Sequence, residues 1–271
     1  MNIFEAATYA VMKRPFILVL IGVLMLALAV GNAIVPVMAM IMGIISMTGG
    51  GIFDGILSVL AMLIDPAILP TLLLLLVAGT LLVSVAAGLL LPGYLLIVAD
   101  GIAQGEKQRG LFLQGLKSHF LRIFLITVKA VLLAAVLALF LMVAGVPGIV
   151  VTKAAFSTKP DLLIAAIFID IVTAGVLFMS LSFFRAYVYM WYLSAVNGLE
   201  KPFKTGKAMA DKGFWKLSFG LLAFDAVFAG VLYTIYLSES QLFRYTAGWA
   251  FATLFFTILA VYLVRFFREN R

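Results

Sequence analysis

Between Phe16 and Met47 the chain carries no charged residue, and that run restricts what it can fold into more than any other feature. In hydrocarbon a backbone N–H or C=O finds no water, so such a run must satisfy its hydrogen bonds internally, as an α-helix or within a closed barrel. Barrel strands alternate apolar and polar residues over about ten positions, whereas the apolar runs here continue unbroken for twenty residues and more. With 65% hydrophobic and 11% charged residues and a mean hydropathy of +1.21, against roughly a quarter charged in soluble domains, a water-soluble fold is excluded. The expectation is an all-α, polytopic helical membrane bundle forming a single integral membrane domain over residues 1–271.

Residues 2–13 read as an interfacial helix, with Ile3, Phe4, Ala7 and Val11 on one side and Glu5 and Thr8 elsewhere, ahead of Lys13, Arg14 and Pro15. At about 1.5 Å per residue the run 16–47 exceeds what a core of about 30 Å requires, so the first span is predicted to tilt or break near Gly31, Asn32 and Pro36. The run is also too long for the apolar region of a cleaved signal peptide. Gly49, Gly50 and Gly51 form a turn, and residues 52–64, bounded by Asp54 and Asp65, are too short to cross and are expected on or dipping into the outer surface. Further spans are placed at about 66–98, 121–151, 161–194, 214–237 and 245–266, with Pro92-Gly93 interrupting the second near its inner end.

Cations set the orientation. One side of these spans collects fourteen (Lys13, Arg14, Lys107, Arg109, Lys117, Arg122, Lys201, Lys204, Lys207, Lys212, Lys216, Arg265, Arg268, Arg271) and the other three (Lys153, Lys159, Arg244). The basic side and both termini are therefore expected in the cytoplasm, which points to the plasma membrane. Tyr187, Tyr189, Trp191, Tyr192 and Trp215 gather near the same side, as an interfacial aromatic belt.

The chain has no cysteine, which removes disulfides, thiolate metal sites and cysteine nucleophiles together. No phosphate-binding loop, serine-hydrolase elbow or zinc-protease motif occurs, so the sequence calls for no cofactor and gives enzymatic activity no positive support. Asp100-Gly101 lacks the later aspartates of the phosphatidyl-transferase pattern. The net charge of +7 sits beside apolar spans, so anionic lipid headgroups are the expected partner rather than nucleic acid.

The basic segments share a pattern: Phe4, Ala7 and Phe16; Phe112, Gly115 and Phe120 or Phe124; Phe203, Gly206 and Phe214. Gly105-Glu106-Lys107 also matches Leu199-Glu200-Lys201, and Lys117 matches Lys207. This predicts three parallel units, 1–99, 100–195 and 196–271, each an amphipathic inner helix followed by a transmembrane hairpin. The rival explanation is that Phe, Gly and Lys recur at interfaces for purely physical reasons.

With Gly93-Tyr94 ending the second span, Phe112 and Gly115-Leu116-Lys117 in the first basic segment, and Gly198, Pro202-Phe203 and Lys207-Ala208 in the second, the chain resembles uncharacterised prokaryotic six-span membrane proteins. Their layout is that of the membrane domain attached to some glycerophosphodiester phosphodiesterases. The resemblance covers nearly the whole chain and implies a six-helix membrane fold. It brings no catalytic residues, and no phosphodiesterase domain accompanies it.

Ionisable groups within hydrocarbon are costly and are candidates for function. Asp225 lies near mid-membrane on a short side chain, Lys129 and Arg185 are at comparable depth, Asp170 enters from the outer side, and Asp100 lies at the inner end of a span. Two readings of the first three stand side by side: snorkelling or a structural ion pair, and a proton or ion relay joining Asp225 to Lys129 or Arg185. His119 lacks a second ligand or acidic partner and reads as a solvated surface histidine. Ala130, Ala134 and Ala138, and Ser84 with Gly88, form small-residue strips for helix packing within the chain or in an oligomer.

The basic segments 100–122 and 195–217 read as amphipathic, with Phe203, Ala210 and Phe214 on one face and Lys204, Lys207 and Asp211 on another. Lys107, Arg109, Lys117, Lys204, Lys207 and Lys212 thus form a candidate surface for lipid headgroups or for a cytoplasmic or membrane protein partner. The leading expectation is a non-enzymatic scaffold or accessory component of a membrane complex. A small-solute or ion permease, with Asp225, Lys129 and the Pro92-Gly93 break near its path, is the alternative, and a lipid-modifying enzyme is the third.

Overall fold

The computed structural model describes residues 2–34, 58, 61, 65–103, 106–157 and 160–271. Among them the chain is helical without strands: α1 (Ile3–Lys13), α2 (Phe16–Ile34), α3 (Leu69–Ile102), α4 (Leu111–Ser157), a 3-10 turn at Pro160–Leu162, α5 (Leu163–Val196), α6 (Pro202–Lys212), α7 (Phe214–Tyr236) and α8 (Gln241–Asn270). Five of these helices are long and apolar enough to cross a membrane, and six if α1 and the start of α2, bent by 97° across Arg14-Pro15, count as one broken span. The protein is a multi-pass helical membrane protein, as the uncharged runs require.

α2 is helical through Gly31 and Asn32 as far as Ile34; Pro36, the remaining place for a break in the first span, and most of 52–64 lie outside the described residues. One expected break is absent. α3 runs without interruption through Pro92-Gly93. There the proline and glycine make a contact instead. A Cβ on Gly93 would run into the Phe112 ring and stand 2.8 Å from the Phe112 carbonyl, and one on Gly115 would stand 2.9 Å from the Gly93 nitrogen. Only hydrogens on both sides let the backbones of α3 and α4 approach so closely.

The first basic segment also differs from expectation. Residues 106–110 are not helical, and α4 then runs straight from Leu111 into the membrane, so the second basic segment alone holds a separate inner helix, α6. α5 stops where Gly198, at φ +73°, lets the Leu199 amide return to the Ser194 carbonyl, and Pro202 then opens α6 with its φ already set.

By contacts the chain divides into two compact units, one of residues 1–33, 84–127 and 185–271, the other of 34–83 and 128–184. In the first, α8 is the hub. Its most apolar stretch is 61% buried, against 6–22% for the other candidate spans, and burial is continuous from Leu259 to Val264, on every side of the helix. α1, α6 and α7 pack on it. The Trp249 indole donates to the Gly22 carbonyl of α2, and Phe228 of α7 stacks among Phe251, Phe255 and Phe256. In the second unit, Thr152 of α4 donates to Asp170 of α5 at 2.8 Å.

On α1, Ala6, Ala7 and Ala10 are buried while Phe4 and Met12 are exposed, so a narrow alanine stripe packs against the chain, Ala10 against Gly101 of α3, and the large apolar residues project outward.

Candidate functional site

Asp225 and Arg185 occupy matching depths on antiparallel helices. Asp225 is eleven positions into α7 and Arg185 eleven positions from the end of α5, each about 16 Å along a helix that rises 1.5 Å per residue. The guanidinium closes on the carboxylate in a two-point pair: Nη2 donates to Oδ1 at 3.0 Å and Nη1 donates to Oδ2. Of the two partners expected for Asp225, the structure supplies Arg185. Lys129 is exposed on α4 in the other compact unit. With both oxygens held by an arginine, the pair has a geometry suited to bridging helices.

A denser polar cluster lies at the end of α3. Arg14 and Asp100 are both buried, each side chain about 9% exposed, and Arg14 Nε donates to Asp100 Oδ2 at 2.6 Å. Arg14 also donates to the Gln108 carbonyl. Lys13 Nζ donates to the Asp100 and Ala103 carbonyls at 2.9 and 2.8 Å, and Arg268 reaches the Ala99 carbonyl at 2.7 Å. Lys13 and Arg268, from α1 and α8, thus bind carbonyls in the last turn of α3, at the negative end of its dipole, while Arg14 pairs with the Asp100 carboxylate. The sequence reading counted Lys13, Arg14 and Arg268 only as topological charges; the missed signal was three cations and one acid at helix termini.

The inner segments pack in a cyclic order. Gly115 of α4 sits on Pro92–Leu96 of α3; Gly206 of α6 sits on Met190 and Trp191 of α5, with Phe203 5.1 Å from the Trp191 ring; α1 sits on α8. Ala7, Gly115 and Gly206, the small positions of the sequence pattern, are all buried. Two residues of the expected aromatic belt are consumed here: Trp191 by α6, and Tyr192 by Thr127, their hydroxyls 2.9 Å apart. Ser84 and Gly88 pack within the chain, with Phe120 covering Gly88.

The candidate cations Lys107, Arg109, Lys117, Lys204, Lys207 and Lys212 are all exposed. On α6 the opposite face, Gly206, Met209 and Ala210, is buried against protein, so the helix has little apolar surface left to sink into lipid. Asp211 on its outer face accepts from the Tyr187 hydroxyl at 2.8 Å. His119 is half-buried rather than solvated, and burial, then the nearby Arg122, hold its pKa below the usual 6.5. Asp170 is exposed beside a groove of about 590 Å³ between α4 and α5, lined also by Gly145, Gly148, Thr152 and Thr173.

No family model, curated protein or solved structure matches the chain.

Proposed function

We propose that the chain is a non-enzymatic component of a membrane assembly, presenting the lysine face of α6 to a cytoplasmic protein partner from the plasma membrane. The observation that carries this reading is the division of labour on α6: Gly206, Met209 and Ala210 are buried against the chain itself, while Lys204, Lys207 and Lys212 are exposed. A helix that served to dip into the leaflet would reserve its apolar face for lipid; this one fixes its cations on a rigid mount. The Arg185–Asp225 pair supports the same view, because an arginine that holds both carboxylate oxygens suits a bridge between α5 and α7. Of the residues that carry the family resemblance, Gly93, Phe112, Gly115 and Phe203 take part in close helix packing, and kinship with the uncharacterised six-span group is proposed as a shared packing device.

A photo-crosslinking amino acid at position 208, central on the exposed face of α6, tests this in cells. The expected result is one discrete adduct that disappears in the Lys204→Glu/Lys207→Glu/Lys212→Glu variant while membrane insertion is unchanged. No adduct at 208, with insertion intact, overturns the reading.

The permease alternative draws on the groove beside Asp170, where one carboxylate and two threonine hydroxyls line an otherwise apolar surface. Flux in liposomes that is lost with Asp170→Asn and kept with Asp225→Asn would favour it.

A further inference from the structure

Two clefts of nearly equal size open where inner segments meet the span ends they pack on. One, about 280 Å³, lies between the Arg14–Phe16 bend, the end of α3 and the start of α4; its lining includes Arg14, Lys107, Phe16, Ile97 and Phe112. The other, about 310 Å³, lies between the start of α1, the start of α7 and the end of α8; its lining includes Ile3, Lys216, Tyr262, Arg265, Phe266 and Glu269. All of these residues belong to the first compact unit.

The two clefts share one chemistry. Each is lined by two cations and has one carboxylate paired to a cation: Arg14, bound to Asp100, with Lys107 in the first, and Lys216 and Arg265, both bound to Glu269, in the second. Each also has a wall of aromatic rings, Phe16 against Phe112 edge-to-face at 6.4 Å, and Tyr262 against Phe266 at 6.4 Å. In the first, Asp100 neutralises Arg14, leaving the exposed Lys107 ammonium as the excess charge. In the second, Glu269 takes one hydrogen bond from Lys216 at 2.8 Å and one from Arg265 at 3.0 Å. An ammonium has three N–H donors, and the exposed Lys216 ammonium gives one of them to Glu269.

Depth decides the occupant. Phe16 opens the first span and Phe266 closes the last, so both clefts straddle the boundary where headgroups give way to hydrocarbon. A hydrated inorganic anion would match the cations and leave the rings unmatched. A molecule with an anionic phosphate joined to an acyl or alkyl chain matches both, and the bilayer supplies it at high local concentration.

We infer that these clefts are specific seats for anionic phospholipids, one headgroup at Lys107 and one at Lys216. The inference is independent of the docking role assigned to α6. Native mass spectrometry of the full chain, delipidated in detergent and titrated with phosphatidylglycerol, phosphatidylcholine or inorganic phosphate, tests it. The wild type is expected to retain two phosphatidylglycerol molecules, and Lys107→Gln or Lys216→Gln to retain one, the altered seat weakened at least tenfold. The double variant should retain none, Lys107→Arg should restore the first seat, and Lys204→Gln on α6 should keep both. Equal retention of phosphatidylcholine, two lipids on the double variant, equal loss with Lys204→Gln, failure of arginine to restore the seat, or displacement by millimolar inorganic phosphate would each overturn it.

Discussion

Removing one partner of the Arg185–Asp225 pair should cost far more than removing both. The two groups lie about 16 Å from their helix ends by the 1.5 Å rise, too deep for Asp225 to reach the interface on its short side chain. A lone charge at the centre of a span costs about 2.5–3.5 kcal/mol on insertion scales, while an ordinary interhelical hydrogen bond in a membrane contributes about 0.6 and at most about 1.7 kcal/mol. The bidentate charged pair belongs between these bounds, so the expected coupling is about 2–3 kcal/mol, or 30- to 150-fold in an equilibrium constant. Asp225→Leu and Arg185→Leu should each destabilise by about 1.5 kcal/mol, and the double leucine variant should lie only about 0.5 kcal/mol below wild type, because nothing charged is then left in oil. Reversible unfolding in mixed micelles, followed by far-ultraviolet circular dichroism or by steric trapping, reads all four corners of the cycle. Additive single effects, or singles within 0.5 kcal/mol of wild type, would show that the pair does not bridge α5 and α7.

Three further outcomes follow from the packing and the charges. Gly115→Ala and Gly206→Ala should each cost about 1–3 kcal/mol, since the new methyl meets backbone at 2.9 and 2.8 Å, whereas Gly230→Ala, with nothing within 4 Å, should be neutral in the same assay. Asp100→Ala should lower the thermal midpoint more than Asp211→Ala, because it strands the buried Arg14, and Arg14→Leu/Asp100→Leu should recover part of the loss. The Lys216 hydrogen bond, then that of Arg265, holds the Glu269 pKa below its ordinary 4.5. A depressed carboxylate contributes stability that is present above the unfolded value and lost as pH falls through the folded one. Wild type should therefore lose stability below about pH 4.5, and Glu269→Gln should flatten that limb in melts from pH 6 to 3.

Span positions were legible from composition because hydrocarbon solubility depends on the local run of side chains and on little else. Expected boundaries at 214–237 and 161–194 match α7 and α5 within a few residues. Proline and glycine were read less well: Pro92-Gly93 looked like a break because the sequence cannot show a second glycine, Gly115, arriving from α4 to fill the gap. In α1 the sequence left open which residues meet protein: Phe4 is more hydrophobic than Ala7, but a closely packed helix buries its small residues and sends the large ones out. Within the site, depth alone singled out Asp225 and left two cations equally eligible, and only the helix pairing selects Arg185. The Arg14–Asp100 pair joins residues 86 positions apart, a distance that no local pattern spans.

The account rests on the basic segments lying together on one side of the membrane, with the α7–α8 connection on the other. The chain has no cysteine, so a single introduced thiol is an unambiguous label. Gln108→Cys, Ala208→Cys and Glu239→Cys, probed in intact cells with a membrane-impermeant maleimide, should give labelling at 239 only, with 108 and 208 labelled after permeabilisation. Labelling of 108 and 208 from opposite sides, or of 239 from the same side as both, would contradict it.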